Sequence, residues 1–170
     1  MDTCAILVDA FERIRAATHR AADGLPEDAL AFRPGVDANS IAWLVWHITR
    51  IQDDHIADLR DAKQVWISDG WYERLGFPFP PTATGYNQTS AEVAFVRASA
   101  RDLLGYYDAV HSETVAYVRT LGPDDLDRIV DRSWDPPVTQ GVRIISVMSD
   151  NLQHAGQAAY VRGLIERGAS

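Results

Sequence analysis

Asp150 and His154 lie four residues apart in the stretch Ser149-Asp150-Asn151-Leu152-Gln153-His154-Ala155-Gly156-Gln157. Ile144-Ile145 precede it and Ala158-Ala159-Tyr160-Val161 follow, so it reads as the middle of a largely buried helix. At about 100° per residue, Asp150, His154, Gln157 and Val161 fall on one side of that helix. A carboxylate and an imidazole at this spacing can approach a single point. Burying either group alone is costly. Two arrangements relieve that cost: a hydrogen bond between the two, or a metal ion held by both.

A metal needs a further ligand, and His47 is the candidate. Helical cores commonly build metal sites from side chains on facing helices. His47, Asp150 and His154 would supply two nitrogens and one oxygen. That set suits zinc, nickel, iron or manganese, and three protein ligands leave a position open for water or substrate. His55 lies two turns beyond His47, about 12 Å along a helix, which is too far to share the same ion.

These residues need four helices to position them. The first runs from residue 4 to about 22 with Ile6, Leu7, Ala10, Phe11, Ile14 and Ala17 at helical spacing, and Gly24 ends it. Asn39 or Ser40 caps the second, which runs to about residue 61 with Ile41, Leu44, Ile48, Ile51 and Leu59 in its apolar stripe. Trp43, His47, Arg50 and Asp54 form a second stripe beside it, which puts His47 at the edge of the core. Arg50 and Asp54 are spaced to pair; alternatively Arg50 binds a substrate carboxylate. The third helix is expected from Ser90 to about residue 121, stopped by Gly122-Pro123, and the fourth from about residue 142 to 166 after a Thr139 cap. A turn is expected near residues 25–30 and another in 124–131. No strand is expected.

Residues 64–89 break the helical pattern and carry Trp66, Trp71, Tyr72, Phe77, Phe79 and Tyr86 with three prolines. A connection this long is functional or disordered. Its aromatics argue for a packed excursion, with a short helix near residues 70–75, over a pocket mouth or in a subunit contact. Trp43 and Trp134 are candidates for pocket walls, and Gln157 for a contact to substrate.

Composition bounds the rest. The 170 residues are 46% hydrophobic and 24% charged, which suits one domain over residues 1–170 with a real core. The net charge of −8 and the lack of a basic cluster disfavour nucleic acid. No apolar run is long enough to span a membrane and no signal-peptide pattern is present, so the expected location is cytoplasmic. Cys4 is the only cysteine, which excludes an internal disulfide.

Trp43-Leu44-Val45-Trp46-His47, followed by His154-Ala155-Gly156-Gln157, resembles the DinB/YfiT-like superfamily over nearly the whole chain. The resemblance implies an all-α, up-and-down four-helix bundle that is often a homodimer. It implies a divalent metal, zinc or nickel, held by three histidines, one on the second helix and two at four-residue spacing on the last. His47 matches the first and His154 the last; Asp150 stands where the family usually has histidine. Relatives use low-molecular-weight thiols such as mycothiol, which implies a thiol S-transferase or isomerase acting on a small-molecule electrophile.

Overall fold

Short polar side chains set the starts of the long helices. In the computed structural model, which describes residues 2–168, the helix α1 (Thr3–Ala22) begins where Asp2 accepts the Ala5 N–H at 2.8 Å. Gly24 follows its end with a φ of 75°, a left-handed conformation that glycine adopts without a Cβ clash. After the short α2 (Glu27–Ala31), Ser40 accepts the Trp43 N–H and opens α3 (Ile41–Leu59). Two short helices, α4 (Val65–Ser68) and α5 (Trp71–Leu75), lie in the aromatic connection.

The third long helix differs from expectation. Residues 90–121 do not form one rod: α6 (Ser90–Val93) stops after one turn, and α7 (Ala100–Val118) starts anew. Val93, Val96, Ala100 and Leu103 keep a helical period across the gap, so periodicity alone does not show the break. Ser99 makes it, because its hydroxyl accepts the Asp102 N–H at 3.1 Å and so caps a new start.

The chain then passes through α8 (Pro123–Leu126) into an antiparallel pair, β1 (Ile129–Asp131) and β2 (Val138–Thr139), before α9 (Gln140–Glu166). The pair corrects the expectation of no strand; segments of two and three residues are too short to show an alternating pattern. Thr139 caps α9 as expected, accepting the Val142 N–H at 3.3 Å.

The structure is mostly helical, and among the described residues the four long helices are joined by five of only four or five residues each. Helix α9 packs against α3 and α1, and α7 packs against the same two, so the four enclose an interior of three apolar clusters among the described residues. Phe11, Leu44, Ile48, Leu103, Tyr106, Tyr107 and Ile144 are almost completely buried there. Ala155 and Ala158 are buried too, and their small side chains let α9 approach its neighbours closely.

Helix α3 is the centre of the molecule: 15 of its 19 residues are buried. Only part of that burial comes from the long helices. The aromatic connection supplies the rest, packing Trp66, Phe77 and Phe79 into the same core as Trp46 and Tyr106. Helix α9, by contrast, is not buried all round. Val142, Ile145, Leu152 and Tyr160 are more than half exposed on its outer face. No helix among the described residues is long and apolar enough to cross a membrane.

Candidate metal centre

Helices α3 and α9 meet where His47 faces Asp150 and His154. The His47 Nε2 lies 3.8 Å from Asp150 Oδ2, and the His154 Nε2 lies 3.5 Å from Asp150 Oδ1. The two imidazole rings stand edge to face, 4.8 Å between centroids. One donor atom from each of the three residues falls within 4.8 Å of the others. Among the described residues this is the one group of three or more His, Cys, Asp or Glu side chains so placed. In a tetrahedral site with ligand bonds of about 2.0–2.2 Å, neighbouring donors sit about 3.4 Å apart, and each imidazole Nε2 already lies near that distance from one of the two Asp150 oxygens.

The opposite nitrogens of the two rings are committed elsewhere. His47 Nδ1 lies 2.6 Å from the Thr84 carbonyl oxygen, which can only accept, so this nitrogen carries the proton. His154 Nδ1 donates to Gln157 Oε1 at 3.0 Å. A neutral imidazole protonated at Nδ1 presents a lone pair at Nε2. Two nitrogen lone pairs and a carboxylate therefore face one gap, and Asp150 Oδ2 is buried there without a hydrogen-bond donor.

A set of acceptors with no donor requires a cation, either a proton or a metal ion. The titration behaviour of the residues fits that requirement. The Asp150 carboxylate, accepting from the His154 imidazole, raises the pKa of His154, outweighing burial. Burial alone would raise Asp150, but the contact with His154 and the nearby His47 hold it below the usual carboxylate range. Burial is the main reason that His47 is lowered. These shifts favour the carboxylate at Asp150 and the proton on His154, while burial disfavours the charged form of His47. The residues fit a divalent ion with mixed nitrogen and oxygen ligands.

The other expected site residues divide. Trp43 lies at the site: its ring stacks on His47 at 4.7 Å, and its Nε1 donates to Gln88 Oε1 at 2.7 Å. Gln157 touches His154 rather than open space alone, and it also lines a cavity of about 410 Å³ with Pro34, Leu44, Gly156, Tyr160 and Val161. Arg50 does not open toward a ligand. It is fully buried, and it pairs with Asp53 at 3.6 Å rather than with Asp54, whose carboxylate accepts instead from Gln64. Residues three and four positions on share one helix face, so spacing could not choose between the two acids. Trp134 is 67% exposed in the β1–β2 turn. That turn lies at the start of α9, about 15 Å of helix rise before Asp150, so Trp134 is not a wall of this site.

Sequence reasoning missed Thr84 and Gly85. Thr84 acts through its main-chain carbonyl, which no residue type encodes. Gly85 carried a faint signal: its φ is 95°, and a Cβ there would fall 2.7 Å from His47 Nδ1, so only glycine lets the chain cross the histidine so closely.

The sequence profile of the DinB superfamily matches residues 10–158. The crystal structure of a conserved protein of a locus from Enterococcus faecalis shares the fold with a TM-score of 0.92 at 27% identity, over 98% of this chain and 99% of that one. None of the curated proteins matches this chain.

Proposed function

We propose a function from the premise that the chain belongs to the DinB superfamily: a divalent-metal-dependent enzyme that joins a low-molecular-weight thiol of the mycothiol type to a small electrophile, or isomerises such a substrate through it. One observation carries the reading. His47, Asp150 and His154 turn three acceptors toward one gap, with the far nitrogen of each imidazole already bonded. A zinc or nickel ion held there would act as a Lewis acid and favour the thiolate of a bound thiol cosubstrate.

The chain's own residues supply the rest. Thr84 and Gln157 hold the two imidazoles in the ligating tautomer. Trp43, stacked on His47, covers one flank of the site and keeps water from that side. The apolar cavity beside Gln157 has room for the body of a small electrophile. Arg50 has no part in holding a substrate carboxylate, because its guanidinium is spent inside the protein.

Elemental analysis of protein purified without a histidine tag tests the reading. It requires about one divalent ion per chain, lost in His47→Ala and in His154→Ala, and thiol-consuming activity that follows the metal. Metal-free protein that chelators neither destabilise nor inactivate would end it in favour of a bundle that binds a small ligand without metal.

A second reading concerns assembly and can hold beside the first. Val142, Ile145, Leu152 and Tyr160 make an exposed apolar stripe on α9, and a second copy of the chain is the occupant that the family resemblance supports. The aromatic connection is a weaker candidate for that contact than the sequence suggested, because Trp66, Phe77 and Phe79 are buried within the chain itself.

A further inference from the structure

Arg50 is a charged side chain with no exposure, one turn along α3 from His47. Burying a guanidinium is costly unless its donors and its charge are matched, and here they are. Its charge faces Asp53 at 3.6 Å, with the Tyr106 hydroxyl between them: Arg50 donates to that hydroxyl at 3.2 Å, and the hydroxyl donates to Asp53 at 2.8 Å.

The remaining donors and acceptors of this pair all go to the aromatic connection. Asp53 accepts the Val65 and Trp66 N–H groups at 2.9 and 2.8 Å, where the connection leaves the helices. Arg50 donates to the Gln64 side chain at 2.9 Å, and to the Ala83 and Pro81 carbonyls at 3.0 and 3.4 Å, where the connection returns. Its guanidinium also lies over the Trp66 ring, 5.2 Å from the centroid. One buried ion pair therefore clamps both ends of an excursion of nearly twenty residues. The residue after the Ala83 clamp is Thr84, whose carbonyl accepts the hydrogen bond from His47 Nδ1–H.

We propose that Arg50 is a positioning residue for the metal centre: through the Pro81 and Ala83 carbonyls it holds Thr84 in place, which fixes the tautomer of His47 and aims Nε2 into the gap. The inference deepens the metal-dependent reading and rests on it for its consequence, but the tautomer can be read without metal. Groups that orient a ligating histidine typically change metal affinity 10- to 100-fold when lost.

Long-range ¹H–¹⁵N spectra of the metal-free protein distinguish the two neutral tautomers of His47. The native chain should show Nδ1–H alone. Arg50→Lys keeps a charge opposite Asp53 but cannot span both carbonyls, so it should mix the tautomers and weaken cobalt(II) binding about 10- to 100-fold. Gly85→Ala pushes a methyl group onto the same nitrogen and should weaken cobalt(II) binding by a similar factor. Ile144→Val, a core change in a different cluster, controls for plain destabilisation and should alter neither readout. A native His47 without the Nδ1 proton overturns the proposal. So does a folded Arg50→Lys with an unchanged tautomer and cobalt affinity within twofold of native. If Arg50→Lys does not fold, Gly85→Ala decides alone: native-like cobalt affinity there also overturns it. A native chain that binds no cobalt, with the tautomer shift still present, would sink the metal reading and leave the role of Arg50 standing.

Discussion

Asn151 on α9 donates its side-chain amide to Gln52 on α3 at 2.8 Å, and neither residue has any solvent exposure. Gln52 in turn donates to Thr114 on α7 at 2.8 Å, and Thr114 to the Val110 carbonyl. Apolar side chains tolerate some sliding of one helix along another; a chain of buried hydrogen bonds does not. This one ties three of the four long helices at a single level. Asn151 is the residue after Asp150, so the same string sets Asp150 opposite His47.

Asn151→Leu should therefore cost more than a buried amide-to-aliphatic swap suggests. It strands the Gln52 carbonyl in the core, a loss of about 1–3 kcal/mol. Urea denaturation should show a lower midpoint with an unchanged slope. Restoring apolar complementarity with Gln52→Leu in the same chain should recover part of the loss, because no stranded partner on α3 then remains. A double variant no more stable than Asn151→Leu would show that the string is not what holds the register.

Asp150→Ala removes one acceptor and the group that raises the pKa of His154. The expected outcomes are at least a tenfold loss of zinc affinity in chelator competition and a downward move of the His154 pKa toward about 6.5, read by NMR titration. Asp150→His should instead keep the metal, because it gives the three-nitrogen set that the family resemblance implies. A His154 pKa that does not respond to Asp150→Ala would separate the two residues in solution.

How much of this centre was legible in the sequence follows from what each feature depends on. The convergence of Asp150 and His154 rests on helical spacing alone, and the Thr139 cap on a side chain that competes for backbone N–H groups, so residue order shows both; for α3 it offers Asn39 or Ser40, and the fold selects Ser40. The direction of Arg50 does not, since Asp53 and Asp54 are both within reach on the helix and only the folded connection selects Asp53. Trp134 misled because an aromatic residue beside prolines looks alike in a pocket wall and in an exposed turn. Thr84 was invisible for a simpler reason: its contribution is a carbonyl that every residue has.

Acid should destabilise the metal-free protein. Burial lowers the pKa of His47, His55 and His111; Glu12 opposes it at His111, while Arg143 adds to it at His55. A histidine with a lowered folded pKa resists protons that the unfolded chain binds, so stability is full above about pH 6.5 and falls as pH drops through the window below it. His154, with its raised value, works the other way: its contribution is full below about pH 6.5 and fades as pH rises through the folded pKa. With three lowered histidines against one raised, the expected net effect is destabilisation in acid. Urea midpoints should fall between about pH 7 and 5, each lowered histidine contributing at most about 1.4 kcal/mol per pH unit. His111→Gln, remote from the metal centre, should make the fall shallower. Identical pH profiles for the two chains would remove His111 from the account.

The outer face of α9 should self-associate. Val142, Ile145, Leu152 and Tyr160 fall within about 80° of the helix circumference, with Ser149 and Gly156 between them. A Cβ built at Gly156 would meet nothing within 4 Å, so a partner helix could approach closely there. Each of the four apolar residues is more than half exposed, and a stripe of that length left in water is unusual on a monomer. Leu152→Arg places a charge at its centre without touching the core. Sedimentation velocity should show a dimer for the native chain and a monomer for Leu152→Arg, with the same helical content. Asp150 and His154 lie on the adjoining side of α9, so Leu152→Arg should keep native metal content, while the stripe itself reaches Gly156 and Tyr160 of the cavity beside Gln157. A native chain that sediments as a monomer at tens of micromolar would leave the stripe without an occupant.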